Sequence, residues 1–296
     1  MDLSNRREST NVEDRRGQSG GSMLSGLGGG KGLGCGSLII VGLIVWLMGG
    51  NPLQVLQMVS GGDLGSIVQT ETASNYQDTE ENEELASFTK KVLASTEDVW
   101  TRQFKALGRT YEAPTLVLYT GSIQTGCGTG NASTGPFYCS ADQKVYIDLS
   151  FYAEMKNSLG AEGDFAWAYV IAHEVGHHVQ YLLGTLGKAH QQMAQMDQTS
   201  ANKVSVQIEL QADFYAGVWG HDEQQLYGSL EKGDLEEALS TAQVIGDDYL
   251  QKRAGYNDSR QYTHGTSAQR ERWFKRGFET GDLNQGNTFS TDSSRL

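Results

Sequence analysis

The sequence predicts a helix-rich α+β domain with a small β-sheet, preceded by a single transmembrane helix. Three observations lead there. Apolar residues recur at three- and four-residue spacing through most of the chain beyond residue 80, as the buried face of a helix requires. Two short runs, TLVLYT at 115–120 and KVYIDLS at 144–150, are rich in β-branched and aromatic residues instead, which suits strands. One apolar stretch near the N-terminus, Leu33 to Met48, lies inside a charge-free segment from Gly32 to Pro52.

Taken in order, residues 1–31 are rich in Gly, Ser, Asn and charge without apolar periodicity, and read as a flexible, disordered cytoplasmic tail. Residues 32–50 are just long enough to cross a thin bilayer as a helix. Every Lys and Arg close to this run lies on its N-terminal side, and none follows until Lys90. The positive-inside rule therefore puts the N-terminus in the cytoplasm and the remainder in the periplasm or outside the cell, anchored in a bacterial inner membrane. A cleaved signal peptide is the rival, but the run starts far from the N-terminus and no A-x-A site follows closely. Cys35 is not a lipoprotein signal, because the apolar run follows it. Residues 51–80, polar and lightly acidic, read as a flexible linker.

The folded domain is expected over 81–282, with a disordered tail over 283–296. Leu85, Phe88, Val92, Val99, Trp100, Phe104 and Leu107 mark one face of a long first helix. Between the two strand runs, Cys127 and Cys139 sit in a Gly-rich segment whose spacing suits a small disulfide loop in an exported domain; two free buried thiols are the alternative. Asp164 is a plausible N-cap for a helix running to Gly184, with Ala168, Ile171, Ala172, Val175, Val179 and Leu182 as its core stripe. A second helix is expected over roughly 205–219. A third starts at Asp234 with Glu237 completing a capping box, and a last one spans about 267–278 with Thr266 and Gln269 as its box.

The net charge of −13 lies wholly beyond residue 49, since residues 1–49 carry five basic and four acidic side chains. An acidic globular part argues against a nucleic-acid partner, because phosphate recognition needs clustered Lys and Arg.

Chemistry concentrates in His173-Glu174-Val175-Gly176-His177, an H-E-x-x-H pattern. On a helix, positions four apart lie one above the other, so both imidazoles can share one Zn2+ ion. Glu174 is then directed at the open coordination position, as general base for zinc-bound water. At this chain's His and Glu frequencies chance gives the pattern in roughly one chain in a hundred. The bland reading is a pair of hydrogen-bonded core histidines, which leaves polar groups in an apolar stripe costly to bury.

A catalytic zinc needs a third protein ligand. A His six residues after His177 would supply it in one known pattern, but that position is Leu183. Glu209 and Asp213, four apart in E-L-Q-A-D, are the next candidates: Glu209 as ligand, Asp213 as acceptor for a ligand imidazole N–H. A solvated acidic face is the alternative, weakened by the apolar Val206, Leu210, Phe214 and Gly217 beside them. His178 points away from the pair and suits a structural hydrogen bond. His264, on a Gly-containing loop before the last helix, could reach the site and stabilise an oxyanion, with Tyr262 and Tyr215 as weaker candidates.

Together H-E-V-G-H-H-V-Q, E-L-Q-A-D, the G-C-G…F-Y-C-S-A-D-Q-K-V-Y-I-D-L segment and H-G-T-S-A-Q-R-E-R-W-F-K-R-G-F resemble the bacterial neutral zinc metallopeptidase family of the YpfJ type. The opening R-R-E-S-T-N-V-E-D-R-R-G is similar to that family's head. The resemblance implies a zincin-type domain on the periplasmic side of one membrane anchor. It also implies His173, His177 and Glu209 as zinc ligands and Glu174 as catalytic residue. The expected reaction is hydrolysis of a peptide or protein substrate, with the peptide paired to KVYIDLS if that run is an edge strand over the cleft. A zinc-stabilised, membrane-tethered scaffold and a metal-dependent amidase of cell-wall material are the alternatives.

Overall fold

Two long helices and a shorter one cross at the centre of the molecule, and their ends follow from local chemistry. The computed structural model describes residues 1–18, 79–132, 135–291 and 296. The first strand, β1, is Val12–Asp14, and α1 is Glu80–Ala106, capped by the Thr79 side chain. Strands β2 (Thr115–Tyr119), β3 (Ser122–Thr125), β4 (Gly128–Asn131), β5 (Phe137–Cys139) and β6 (Lys144–Asp148) follow. Helix α2 (Ser150–Glu154) runs on into a π-helical turn, Met155–Leu159. Next come α3 (Asp164–Leu183), α4 (Thr185–Met193), α5 (Gln198–Tyr227), α6 (Asp234–Val244), α7 (Asp247–Arg253) and α8 (Ser267–Thr280).

Helix α3 stops at Gly184, whose left-handed φ of 78° suits a residue without Cβ. Helix α5 starts because the Asp197 side chain accepts from Ser200 N–H, and stops at Gly228. It extends well beyond the expected 205–219, since those caps lie outside the apolar stripe. Helix α8 carries the Thr266/Gln269 capping box. Trp100, Trp167, Trp219 and Trp273 are all fully buried, and Phe165 stacks on Trp219 with 5.7 Å between centroids. These rings fill the space between α1, α3, α5 and α8.

The main sheet has the order β1-β2-β6-β5. Strands β1, β2 and β6 are parallel, and β5 is antiparallel to β6. The segment KVYIDLS is therefore an interior strand, which corrects the expectation of an edge; β5 holds that place, because the cysteine loop folds back beside β6. A disulfide joins Cys127 to Cys139, at the tip of the β3–β4 hairpin and the end of β5.

Two caps differ from expectation. Asp164 is the first helical residue behind Gly163, and its carboxylate accepts from the Met1 ammonium at 2.7 Å. Glu237 closes no box on α6; its carboxylate accepts the Phe165 N–H of α3 at 3.1 Å. In both cases an unpaired donor from a distant part of the chain outcompetes the local one.

Residues 1–18 are folded against the domain, which corrects the flexible-tail reading for this part of 1–31. Val12, Glu13 and Asp14 pair in register with Leu116, Val117 and Leu118, and Met1 and Leu3 are buried in the core. Arg7 ion-pairs with Glu97 and Asp98 of α1, and Lys144 with Glu13. The expected membrane helix (32–50) and nearly all of the linker (51–80) lie outside the described residues. Among the described residues no helix is long and apolar enough to cross a membrane. A single crossing between residues 18 and 79 would separate head from domain, so a cytoplasmic head with an external domain does not fit this packing. The C-terminal tail is also corrected over the part described. Thr288 is fully buried and its hydroxyl donates to the Gln207 carbonyl at 2.7 Å, while Leu296 is buried as well.

Candidate metal centre

The H-E-x-x-H segment lies on α3, and the E-L-Q-A-D segment on α5 beside it. Their close approach depends on Gly176, the fourth residue of the motif: a Cβ there would meet the Ala212 carbonyl oxygen at 3.0 Å. A side chain there would force the two backbones apart by a few tenths of an ångström.

His173, His177 and Glu209 converge with their ligand atoms all within 4.8 Å of one another. His173 Nε2 lies 3.2 Å from one Glu209 oxygen and His177 Nε2 3.6 Å from the other. Tetrahedral coordination at the usual Zn–N and Zn–O lengths requires ligand atoms about 3.3 Å apart, so the donor set fits that ion in both type and spacing. The expected grouping of these three residues is what the structure shows.

Each imidazole is oriented from behind. His173 Nδ1 is 2.8 Å from Asp213 Oδ1, and His177 Nδ1 is 2.9 Å from Gln180 Oε1. With Nδ1–H donating, each Nε2 lone pair is left for a metal. Gln180 is held in turn by donating to the Ile208 carbonyl at 2.7 Å and to Gln211 Oε1 at 3.1 Å. Asp213 has no exposure and accepts from three residues: His173, the Tyr169 hydroxyl at 2.6 Å, and the Arg270 guanidinium at 2.9 Å to each of its oxygens. The acidic-face alternative is thereby excluded for Asp213.

The electrostatics favour positive charge between these groups. Burial works against charging His173, yet the Asp213 carboxylate, its hydrogen bond and Glu209 outweigh it and lift the pKa to about 10. Burial likewise opposes the ionised forms of Glu209 and Asp213, but the histidines hold the first, and Arg270 with His173 the second, well below the carboxylate range. Glu174 goes the other way. Burial pushes its carboxyl up, against the pull of His177 and His173, which moves it toward a general base near neutral pH.

His264 lines the same cavity as His173, Glu174, His177 and Glu209. Its loop is fixed by Asp247, whose Oδ2 accepts the N–H groups of Thr263, His264 and Gly265 at 2.7, 2.7 and 2.9 Å. Tyr215 packs edge-on against Trp100, and the Tyr262 hydroxyl bonds Asn257; neither lines the cavity. His178 is structural: Nε2–H donates to the Glu112 carbonyl at 2.6 Å, and Nδ1 accepts from the Tyr138 hydroxyl at 3.0 Å.

Sequence reading missed Tyr169, Gln180 and Arg270. Tyr169 lies four residues before His173 and Gln180 three after His177, so helical spacing could have flagged both. Arg270 arrives from α8 and has no local signal.

Comparison with known proteins gives concordant results. The matching family is described as "Putative neutral zinc metallopeptidase", and its profile covers residues 1–289. The uncharacterized protein YpfJ of Escherichia coli (strain K12) is 52% identical over 285 residues, 96% of this chain and 97% of its own. An uncharacterized protein of Mycobacterium tuberculosis (strain H37Rv), Rv2575, is 42% identical over 207 residues, 66% of this chain and 68% of its own. No solved structure matches.

Proposed function

The chain belongs to this neutral zinc metallopeptidase family, and on that premise we propose that it hydrolyses peptide bonds with a zinc ion held by His173, His177 and Glu209. The observation that carries the reading is Glu174. Its carboxylate is buried at the cavity wall beside the ligands and makes no side-chain hydrogen bond or ion pair among the described residues. A structural zinc closes all four positions with protein ligands, whereas three ligands and an adjoining idle base suit catalysis.

A bound zinc ion supplies the acidity that lets a water ionise near neutral pH and the charge that polarises a carbonyl. The chain's own groups do the rest. An extended peptide pairs with the open edge of β5, whose Phe137 and Tyr138 line the cavity. Glu174 takes the proton of the attacking water and passes it to the departing amine. His264, held by Asp247, donates to the oxygen that gains charge.

The test is Glu174→Gln. Turnover of an unfolded-peptide library is expected to fall by about 10²- to 10⁴-fold, with zinc content by metal analysis unchanged. Cleavage at the wild-type rate in that variant would sink the proposal. Glu209→Ala, by contrast, is expected to lose zinc.

Localisation joins the proposal in amended form. The Cys127–Cys139 disulfide supports an oxidising compartment, and the apolar run at 32–50 supports membrane association, with head and domain on the same side. Protease added to one face of sealed vesicles should then reach both or neither.

A further inference from the structure

The cavity in front of the ligands measures about 300 Å³, and most of its wall is hydrocarbon. Phe151, Met155 and Leu159 come from α2 and its π-helical continuation, and Ile245, at the C-terminal end of α6, and Leu250 of α7 line the cavity as well. Phe151, Glu154 and Met155 fall at three- and four-residue spacing, so the same helix face that lays down the apolar wall also carries Glu154 to it.

Glu154 differs from every other ionisable group lining this cavity except Glu174. Tyr138 bonds His178, Tyr169 and Arg270 bond Asp213, His264 bonds Asp247, and His173, His177 and Glu209 form the ligand set. Glu154 is half-buried and has no hydrogen-bond or ion-pair partner among the described residues. Burial alone pushes its carboxyl up, with no charged neighbour contributing. Filling the cavity with an aliphatic or aromatic substrate side chain would strip the remaining water from this carboxylate and give nothing in return. A lysine or arginine side chain meets both demands at once. Its methylenes lie against Phe151, Met155 and Leu159, and its cationic end reaches Glu154.

We propose that this cavity is the specificity pocket of the peptidase and that Glu154, over its apolar wall, selects a basic side chain next to the scissile bond. The assignment rests on the peptidase reading for its biological sense, but the pocket can be probed without turnover. The full chain carrying Glu174→Gln, loaded with zinc, is titrated calorimetrically with the hydroxamates of Nα-acetyl-arginine and Nα-acetyl-leucine, and with leucine hydroxamate bearing a free amine. The arginine compound is expected to bind roughly tenfold more tightly than acetyl-leucine hydroxamate. Adding Glu154→Gln should bring it down to the leucine level with zinc content intact. Equal or tighter binding of acetyl-leucine hydroxamate overturns the assignment, as does an arginine preference that survives Glu154→Gln. So does a gain that follows the free α-amine of the leucine compound, because the carboxylate would then hold a substrate N-terminus. An arginine preference in a protein whose wild type cleaves no peptide would keep the pocket and remove only the peptidase reading.

Discussion

Two arginines, Arg270 and Arg7, each hold carboxylates, and the contrast separates the centre of this molecule from its head. Arg270 is 3% exposed and bonds both oxygens of the fully buried Asp213, which in turn orients His173. Arg7 has half of its side chain in solvent while it bridges Glu97 and Asp98 of α1. The centre is built from charges that have lost their water and must be paired completely. At Arg7 the head is held by pairs that water can replace, while deeper in it the Met1 ammonium and Arg6 meet the buried Asp234 and Glu223. Disturbance at Arg270 therefore reaches the metal ligands, whereas disturbance at Arg7 should stay local.

Arg270→Met gives the largest expected effect. It leaves Asp213 buried with its charge uncompensated, which costs about 3–5 kcal/mol in urea-denaturation stability. Zinc affinity should fall about 10- to 100-fold as His173 loses its fixed partner. Arg7→Met should cost only about 0–1 kcal/mol and leave zinc affinity alone. Equal losses in the two variants would erase the distinction between centre and head.

A smaller effect is expected where α5 and α8 cross. A Cβ on Gly277 would lie 2.0 Å from the Phe214 carbonyl oxygen, and one on Gly217 2.1 Å from the Phe274 carbonyl oxygen. Neither neighbour is a flexible side chain, so the helices themselves must separate. Gly277→Ala should destabilise by about 1–3 kcal/mol and shift Arg270 relative to Asp213, weakening zinc binding as well. Unchanged zinc affinity in a clearly destabilised variant would show that the crossing does not position Arg270.

The same contrast explains how much was legible in the sequence. The pattern at His173, Glu174 and His177 and the pair Glu209 and Asp213 were legible because each obeys a helical period that chemistry needs for one ion. The strand runs 115–120 and 144–150 were found, but their order was not, since the three-residue strands β5, which pairs with β6 across the turn at 140–143, and β1, which pairs with β2, are too short to show a strand period. Arg270 was invisible because its partner lies 57 positions away on another helix. The head was misread for a related reason. Its short strand and scattered arginines carry no amphipathic period, and only Leu116, Glu97 and Lys144, all far along the chain, give them their meaning.

The smallest effect concerns acid. Glu13 has its pKa lowered chiefly by the hydrogen bond from Lys144, with Arg15 adding to it and burial opposing; Asp14 has its pKa lowered chiefly by Arg16. A carboxylate with a folded-state pKa below its unfolded value stabilises the docked state above the ordinary carboxylate range. That contribution disappears as pH falls through the lowered folded values. The head should therefore stay docked at neutral pH and loosen only below the usual carboxylate range, where β1 amides should gain hydrogen exchange relative to α5 amides. Acid also protonates the histidines and so releases zinc, which is why Lys144→Met serves as the control at constant pH. It removes the main partner of Glu13 and should raise the pH at which β1 begins to exchange, with zinc retained. Exchange in β1 that followed zinc loss instead of Lys144 would join head and centre into one cooperative unit and end the comparison between them.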